Sequence, residues 1–132
     1  MAQAYTFSRT ISRPYDDVLA AVRAALDAQG IAVVTEFDLR ASFAKNLGVE
    51  VAPQVILGAC QSALAYQALQ VDPSIATLIP VNVVVRTLDE SSTEVEVFDP
   101  ATIAGLAGGD AVRRLAVDAR ERLVAALAAL PE

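Results

Sequence analysis

The sequence predicts an α+β fold in which a mainly antiparallel sheet carries its helices packed on one face. Two long stretches with apolar residues at helical spacing stand near the two ends of the chain. Several short segments rich in β-branched residues lie between them, and two of these flank the turn-forming run Asp89-Glu90-Ser91-Ser92. In the second of that pair Val95 and Val97 alternate with Glu94 and Glu96, the pattern of a strand with one dry and one wet face. A chain of 132 residues is expected to form one domain, 1–132, that buries roughly two thirds of its unfolded surface.

Each element has a local reason. The first strand covers 5–11, with Tyr5, Phe7 and Ile11 on one face. Pro14 suits a first helical turn, and Asp16 and Asp17 favour the positive end of the helix dipole. The helix over 14–29 places Tyr15, Val18, Leu19, Val22 and Leu26 on one stripe and stops at Gly30. In the strand over 31–39, Ile31, Val33, Thr35, Phe37 and Leu39 alternate inward, leaving Glu36 and Asp38 to water. A short helix over 41–47 ends at Gly48. A buried strand over 55–59 leads into a helix over 62–70, and the hairpin strands cover 81–88 and 93–98. Asp110 caps a last helix to residue 129, with Val112, Leu115, Ala119, Leu123, Leu127 and Leu130 inward. Asp110 with Arg114 and Asp118 with Arg122 form i,i+4 pairs on it.

Composition excludes several functions. Nine Arg and one Lys against sixteen carboxylates leave a net charge of −6, which argues against nucleic acid as a partner, since that requires a basic footprint. The carboxylates gather around Asp89, Glu90, Glu94, Glu96 and Asp99 and read as a solvated hairpin face. Apolar residues make up 55% of the chain, more than one small core absorbs, so a homodimer is expected. Between Glu50 and Arg86 the sole charge is Asp72, so this stretch belongs in a core, a pocket or a subunit contact. Its uncharged run over 51–71 contains Pro53, Gln54, Gln61, Gln67 and Gln70, and no membrane span is expected. The start Met1-Ala2-Gln3-Ala4-Tyr5-Thr6 lacks the features of a signal peptide, and a single cysteine suits a reducing compartment; the expected location is cytoplasmic.

Histidine is absent, so no Ser-His-Asp or Cys-His arrangement can be assembled. One thiol per subunit and no imidazole argue against a zinc or other soft-metal site, and neither a metal nor a cofactor is expected. The run Gly105-Leu106-Ala107-Gly108-Gly109 lacks the spacing of a phosphate loop and reads as a flexible joint before a helix.

The central stretch carries a resemblance. Ile56-Leu57-Gly58-Ala59-Cys60, a helix ending near Asp72-Pro73, and Leu78-Ile79-Pro80-Val81-Asn82-Val83-Val84-Val85 together resemble the bacterial and archaeal family of domain of unknown function 302 (DUF302). The resemblance covers nearly the whole chain, with its distinctive residues between Gly30 and Pro100. It implies a fold similar to a single TATA-binding-protein-like unit with extra elements, in a homodimeric arrangement. It does not import DNA binding, because function belongs to sites and this surface is acidic. Relatives often carry a second cysteine just before the Asn of the Pro-x-Asn-Val segment, and Asn-Pro after the first cysteine. Val81, Gln61 and Ser62 occupy those positions here, so no disulfide or dithiol metal site within one subunit is implied.

Four residues are candidates for a site. Cys60 follows a strand and precedes a helix, where backbone N–H groups favour a thiolate; it is equally a small buried hydrophobe. Asn82 heads an apolar strand, and its amide either bonds backbone there or joins Cys60 around a cavity. Tyr66, on the following helix, offers a hydroxyl to that cavity or packs in the core. Arg86 shares the strand face of Asn82 and would make an anion site there. If the cavity exists, Cys60, Asn82 and Arg86 should converge on it. Two functions of different classes fit: a homodimeric module that binds a small ligand or a partner through this low-charge pocket, or a thiol-dependent enzyme or redox sensor using Cys60.

Overall fold

Backbone chemistry brackets the first helix as its sequence predicts. Pro14, with φ −63°, holds the N-cap, and Gly30 adopts φ +72° just beyond the C-terminus, a conformation that costs a side-chain-bearing residue strain. The structure, a computed structural model, describes residues 3–106 and 108–132. Residues 1, 2 and 107, which fall in the N-terminal segment and in the glycine-rich joint, lie outside the described residues.

The elements run β1 (Thr6–Ile11), α1 (Tyr15–Ala28), β2 (Ala32–Asp38), α2 (Leu39–Leu47), β3 (Gln54–Cys60), α3 (Ser62–Val71), β4 (Val81–Asp89), β5 (Ser92–Phe98) and α4 (Asp110–Ala128). Short 3-10 helices, Pro73–Leu78 and Pro100–Gly105, follow α3 and β5. Five strands form one sheet in the order β1-β5-β4-β3-β2, and every neighbouring pair is antiparallel.

Strand alternation sorts the side chains. Leu57, Val83, Val85, Val95 and Val97 point to one face and are inaccessible to water. They pack with Val18, Val22 and Leu26 of α1 and with Leu123, Ala126 and Leu127 of α4. Full burial of such a side chain stabilises by about 1.5–3 kcal/mol, so this layer supplies most of the driving force. Arg9 of β1 ties the last helix to the sheet: its Nη1 donates to the carbonyls of Leu127 and Leu130, 2.7 Å each, satisfying oxygens that a helix end leaves open. A smaller cluster, Ile75, Ile103 and Val112, sits apart, where the two 3-10 helices meet α4.

The structure departs from the sequence-based expectations in several places, beginning with Tyr5, which precedes β1 and is exposed. In β2 the register slips between Val33 and Thr35, so Val34 is an extra residue. The bulge flips the alternation: Thr35 and Phe37 pair with Gly58 and Ile56 on the face away from α1 and α4, and Phe37 is 48% exposed. Glu36, opposite Leu57, turns to the helix side and pairs with Arg23 of α1, while Asp38 caps α2 by accepting from the Ala41 N–H at 3.0 Å. Leu39 begins α2 and is no strand residue. In β5 the expected wet face is largely dry: Glu94 is 7% exposed and Glu96 is nearly as enclosed, whereas Asp89 and Glu90 are solvated. Finally, Gly109 holds the N-cap of α4 without a side-chain cap, and Asp110 pairs with Arg113 at i,i+3 rather than with Arg114; the Asp118–Arg122 pair forms as expected, at 2.9 Å.

Candidate functional site

A cavity of about 90 Å³ separates the two hydrophobic clusters. The ends of the central strands, Ala59 and Val81, form its floor, α3 and α4 form its sides, and Ile75 and Ile103 close the far end. The reason for the gap is visible in the facing residues. Ala65 and Ala68 on α3 and Ala116 and Ala119 on α4 repeat at i,i+3 and present only methyl groups, so two helices packed at ordinary distance leave space between them. The wall is hydrocarbon except for Cys60, Gln61 and Arg122.

Cys60 ends β3 at this wall, one residue before α3 begins after Gln61, and is a half-buried free thiol. Gln61 is committed to the helix: its side-chain Oε1 accepts from the Leu64 N–H at 2.8 Å and so caps α3. Arg122 comes from α4; its Nε donates to Asp118 at 2.9 Å and its Nη1 approaches the Gln29 carbonyl at 3.4 Å.

The other candidates are elsewhere. Asn82 lies opposite Gly58 in the β3–β4 register and Arg86 lies opposite Gln54, both on the sheet face turned away from the helices and the cavity. Asn82 is exposed, and Tyr66 projects from α3 with 66% of its surface accessible. Of the three residues expected to converge, Cys60 lines the cavity, and Asn82 and Arg86 are not among its lining residues. Strand parity places Asn82 and Arg86 on the outer face with Gly58; Cys60, the last residue of β3, shares that parity and meets the cavity only where the strand gives way to α3.

On that outer face Arg86 is a clamp and not an open anion site. Its Nη1 donates to Glu94 at 2.5 Å and Glu96 at 2.8 Å, and its Nε donates to Gln54 at 3.2 Å. The bond from Arg86, followed by a 2.7 Å bond from the Thr6 hydroxyl, holds the Glu96 carboxyl below the usual glutamate range against the opposing effect of burial. Two carboxylates already neutralise the guanidinium. Beside this network the outer face closes tightly over Gly58: a Cβ there would lie 2.0 Å from Thr35 Oγ1 and 2.7 Å from Pro80 Cγ.

Ile75, Ile103, Leu115 and Arg122 line the cavity, although their sequence context alone does not mark them as site residues. The paired small residues on the two helices are the available signal, an absence of bulk where the helical stripe continues. Among the described residues no three of His, Cys, Asp and Glu gather as metal ligands, and no helix is long and apolar enough to cross a membrane.

Comparison with known proteins adds family and fold. The sequence matches the family described as "Domain of unknown function DUF302" over residues 7–130. No curated protein matches the chain. Its structure is similar to the crystal structure of an uncharacterized conserved protein DUF302 from Bacillus stearothermophilus, with a TM-score of 0.85 at 20% identity over 96% of this chain and 98% of that one.

Proposed function

Because this chain belongs to the DUF302 family, a membership that fixes its fold and names no reaction, we propose from its cavity that it is a homodimeric, cytoplasmic small-ligand-binding module. The observation that carries the proposal is the hydrocarbon-walled space between α3 and α4, with Cys60, Gln61 and Arg122 as the polar residues of its lining. Binding sites for small molecules combine such apolar walls with a few polar anchors. A cavity of about 90 Å³ is smaller than the roughly 150 Å³ one that admits benzene, so the occupant has the bulk of a short aliphatic chain. Of the four residues that the sequence marks as candidates, Cys60 is the one that lines this cavity, which supports its place in the proposed site. Self-association is supported by the large apolar side chains left exposed at one edge of the molecule, Val34, Phe37, Leu47 and Val49.

A thiol-dependent enzyme or redox sensor is the second function, favoured by the placement of the free Cys60 on the cavity wall at the start of a helix. The deciding experiment is an NMR titration with 1-butanol, a small neutral probe. Saturable shifts should appear at Ile103, Leu115 and Ala116 and vanish in a folded Ala116→Leu variant, whose isobutyl group occupies the space. Absence of saturable shifts in the wild type, or their persistence in the variant, would dismiss the cavity as a ligand site. Binding that also shields the thiol from iodoacetamide, read by intact mass, would place the ligand against Cys60.

A further inference from the structure

We infer that the ligand of this cavity is a short aliphatic carboxylate, with its chain between α3 and α4 and its carboxylate on Arg122. The inference rests on the cavity being a ligand site, and it adds the chemistry of the head group.

Arg122 is the sole charged residue among the described residues that line the space. The other two polar groups are poorer anchors for an anion: Gln61 is uncharged and its amide is held in the α3 cap through its oxygen, and a thiol is a weak donor. A guanidinium carries five N–H donors in a planar fork, and within the chain Arg122 uses its Nε and, at a long 3.4 Å, its Nη1. The remaining donors are available to an incoming group, and a carboxylate matches their geometry with two parallel bonds.

Exposure supports the same orientation. The Arg122 side chain is 39% exposed and that of Asp118 is 45% exposed, so their ion pair is a surface pair of small worth and does not extinguish the local positive charge. The guanidinium therefore stays at the wet mouth while its stem joins the hydrocarbon wall, an arrangement open to an amphiphile of the same build. Chain length is limited from the other side: a cavity of about 90 Å³ holds roughly four carbons, so a longer chain must protrude or distort the packing.

The test is a binding series on the intact protein with acetate, butanoate, pentanoate and octanoate, alongside 1-pentanol as the neutral counterpart of pentanoate. Affinity should rise roughly fourfold per methylene from acetate to pentanoate and stop rising by octanoate. Pentanoate should bind at least about tenfold more tightly than 1-pentanol at low salt, and about 0.5 M NaCl should shrink that preference. Arg122→Gln should abolish the preference while 1-pentanol still binds. Arg122→Lys should retain part of it, since an ammonium keeps the charge without the fork. Asp118→Asn, which removes the competing carboxylate, should strengthen pentanoate roughly two- to threefold and leave 1-pentanol unchanged. Equal binding of pentanoate and 1-pentanol, or an undiminished preference in Arg122→Gln, would overturn the carboxylate assignment while leaving the cavity intact. If neither probe binds the wild type, or if Ala116→Leu binds both as the wild type does, the cavity proposal itself falls.

Discussion

Replacing Arg86 with Met would test how the outer face of the sheet is held. The substitution keeps the unbranched stem and removes the fork that reaches Glu94, Glu96 and Gln54. The Arg86 side chain is 29% exposed and the side chains of its two carboxylate partners are 9% and 14% exposed, so this network is far more enclosed than a surface pair. Charge-assisted hydrogen bonds contribute about 1.5–3 kcal/mol, and breaking a buried pair costs about 3–5 kcal/mol because a charge is left behind. For this partly buried clamp a loss of roughly 3 kcal/mol is expected at pH 7, a fall in Tm of about 12 °C for a chain of this size. The pH dependence identifies the cause. In the wild type the Glu96 carboxyl titrates below its ordinary 4.5, so the clamp stabilises fully above that value and is lost as pH falls through the lower folded value. In Arg86→Met the Glu96 carboxyl keeps the Thr6 hydroxyl bond but loses the guanidinium, its strongest hold, and titrates higher than in the wild type, so protonation relieves the variant first. The stability gap between wild type and variant should therefore narrow as pH falls from 7 toward 4. Urea denaturation at a series of pH values measures it. A gap below about 1 kcal/mol at pH 7, or one that does not change with pH, would show that the guanidinium does not hold these carboxylates in solution.

Three other outcomes follow from the same geometry. Gly58→Ala should destabilise by roughly 2–4 kcal/mol, because its Cβ would fall 2.0 Å from Thr35 Oγ1; calorimetry of Gly58→Ala and of the Gly58→Ala/Thr35→Ala pair should show partial rescue by the second change. Cys60→Ala should fold and lose no more than about 1–2 kcal/mol, while thiol titration of the native wild type should proceed without denaturant; reaction only after unfolding would make Cys60 a core residue. Light scattering coupled to size exclusion at micromolar concentration should give about twice 13.8 kDa, and a clean monomer would remove the homodimer.

Much of the architecture is legible one segment at a time. Helical stripes, Pro14, Gly30 and the valine alternation of β4 and β5 act over a few residues, so the α+β class, the two long helices and the hairpin follow from local chemistry. The absence of histidine needs even less, because it is a property of the residue inventory and closes imidazole chemistry whatever the fold. The candidate site depended on more than this. Whether Asn82 and Arg86 meet Cys60 is decided by strand register and face, and one inserted residue, Val34, reversed the faces of Thr35, Glu36 and Phe37. Whether Glu94 and Glu96 are wet is decided by what strand β1 and Arg86 place over them, two partners distant in the chain. The cavity is wholly a tertiary property. Alanines on α3 and α4 are ordinary helix formers until the fold sets them face to face, and the space they leave belongs to the distance between helices, which no single segment encodes.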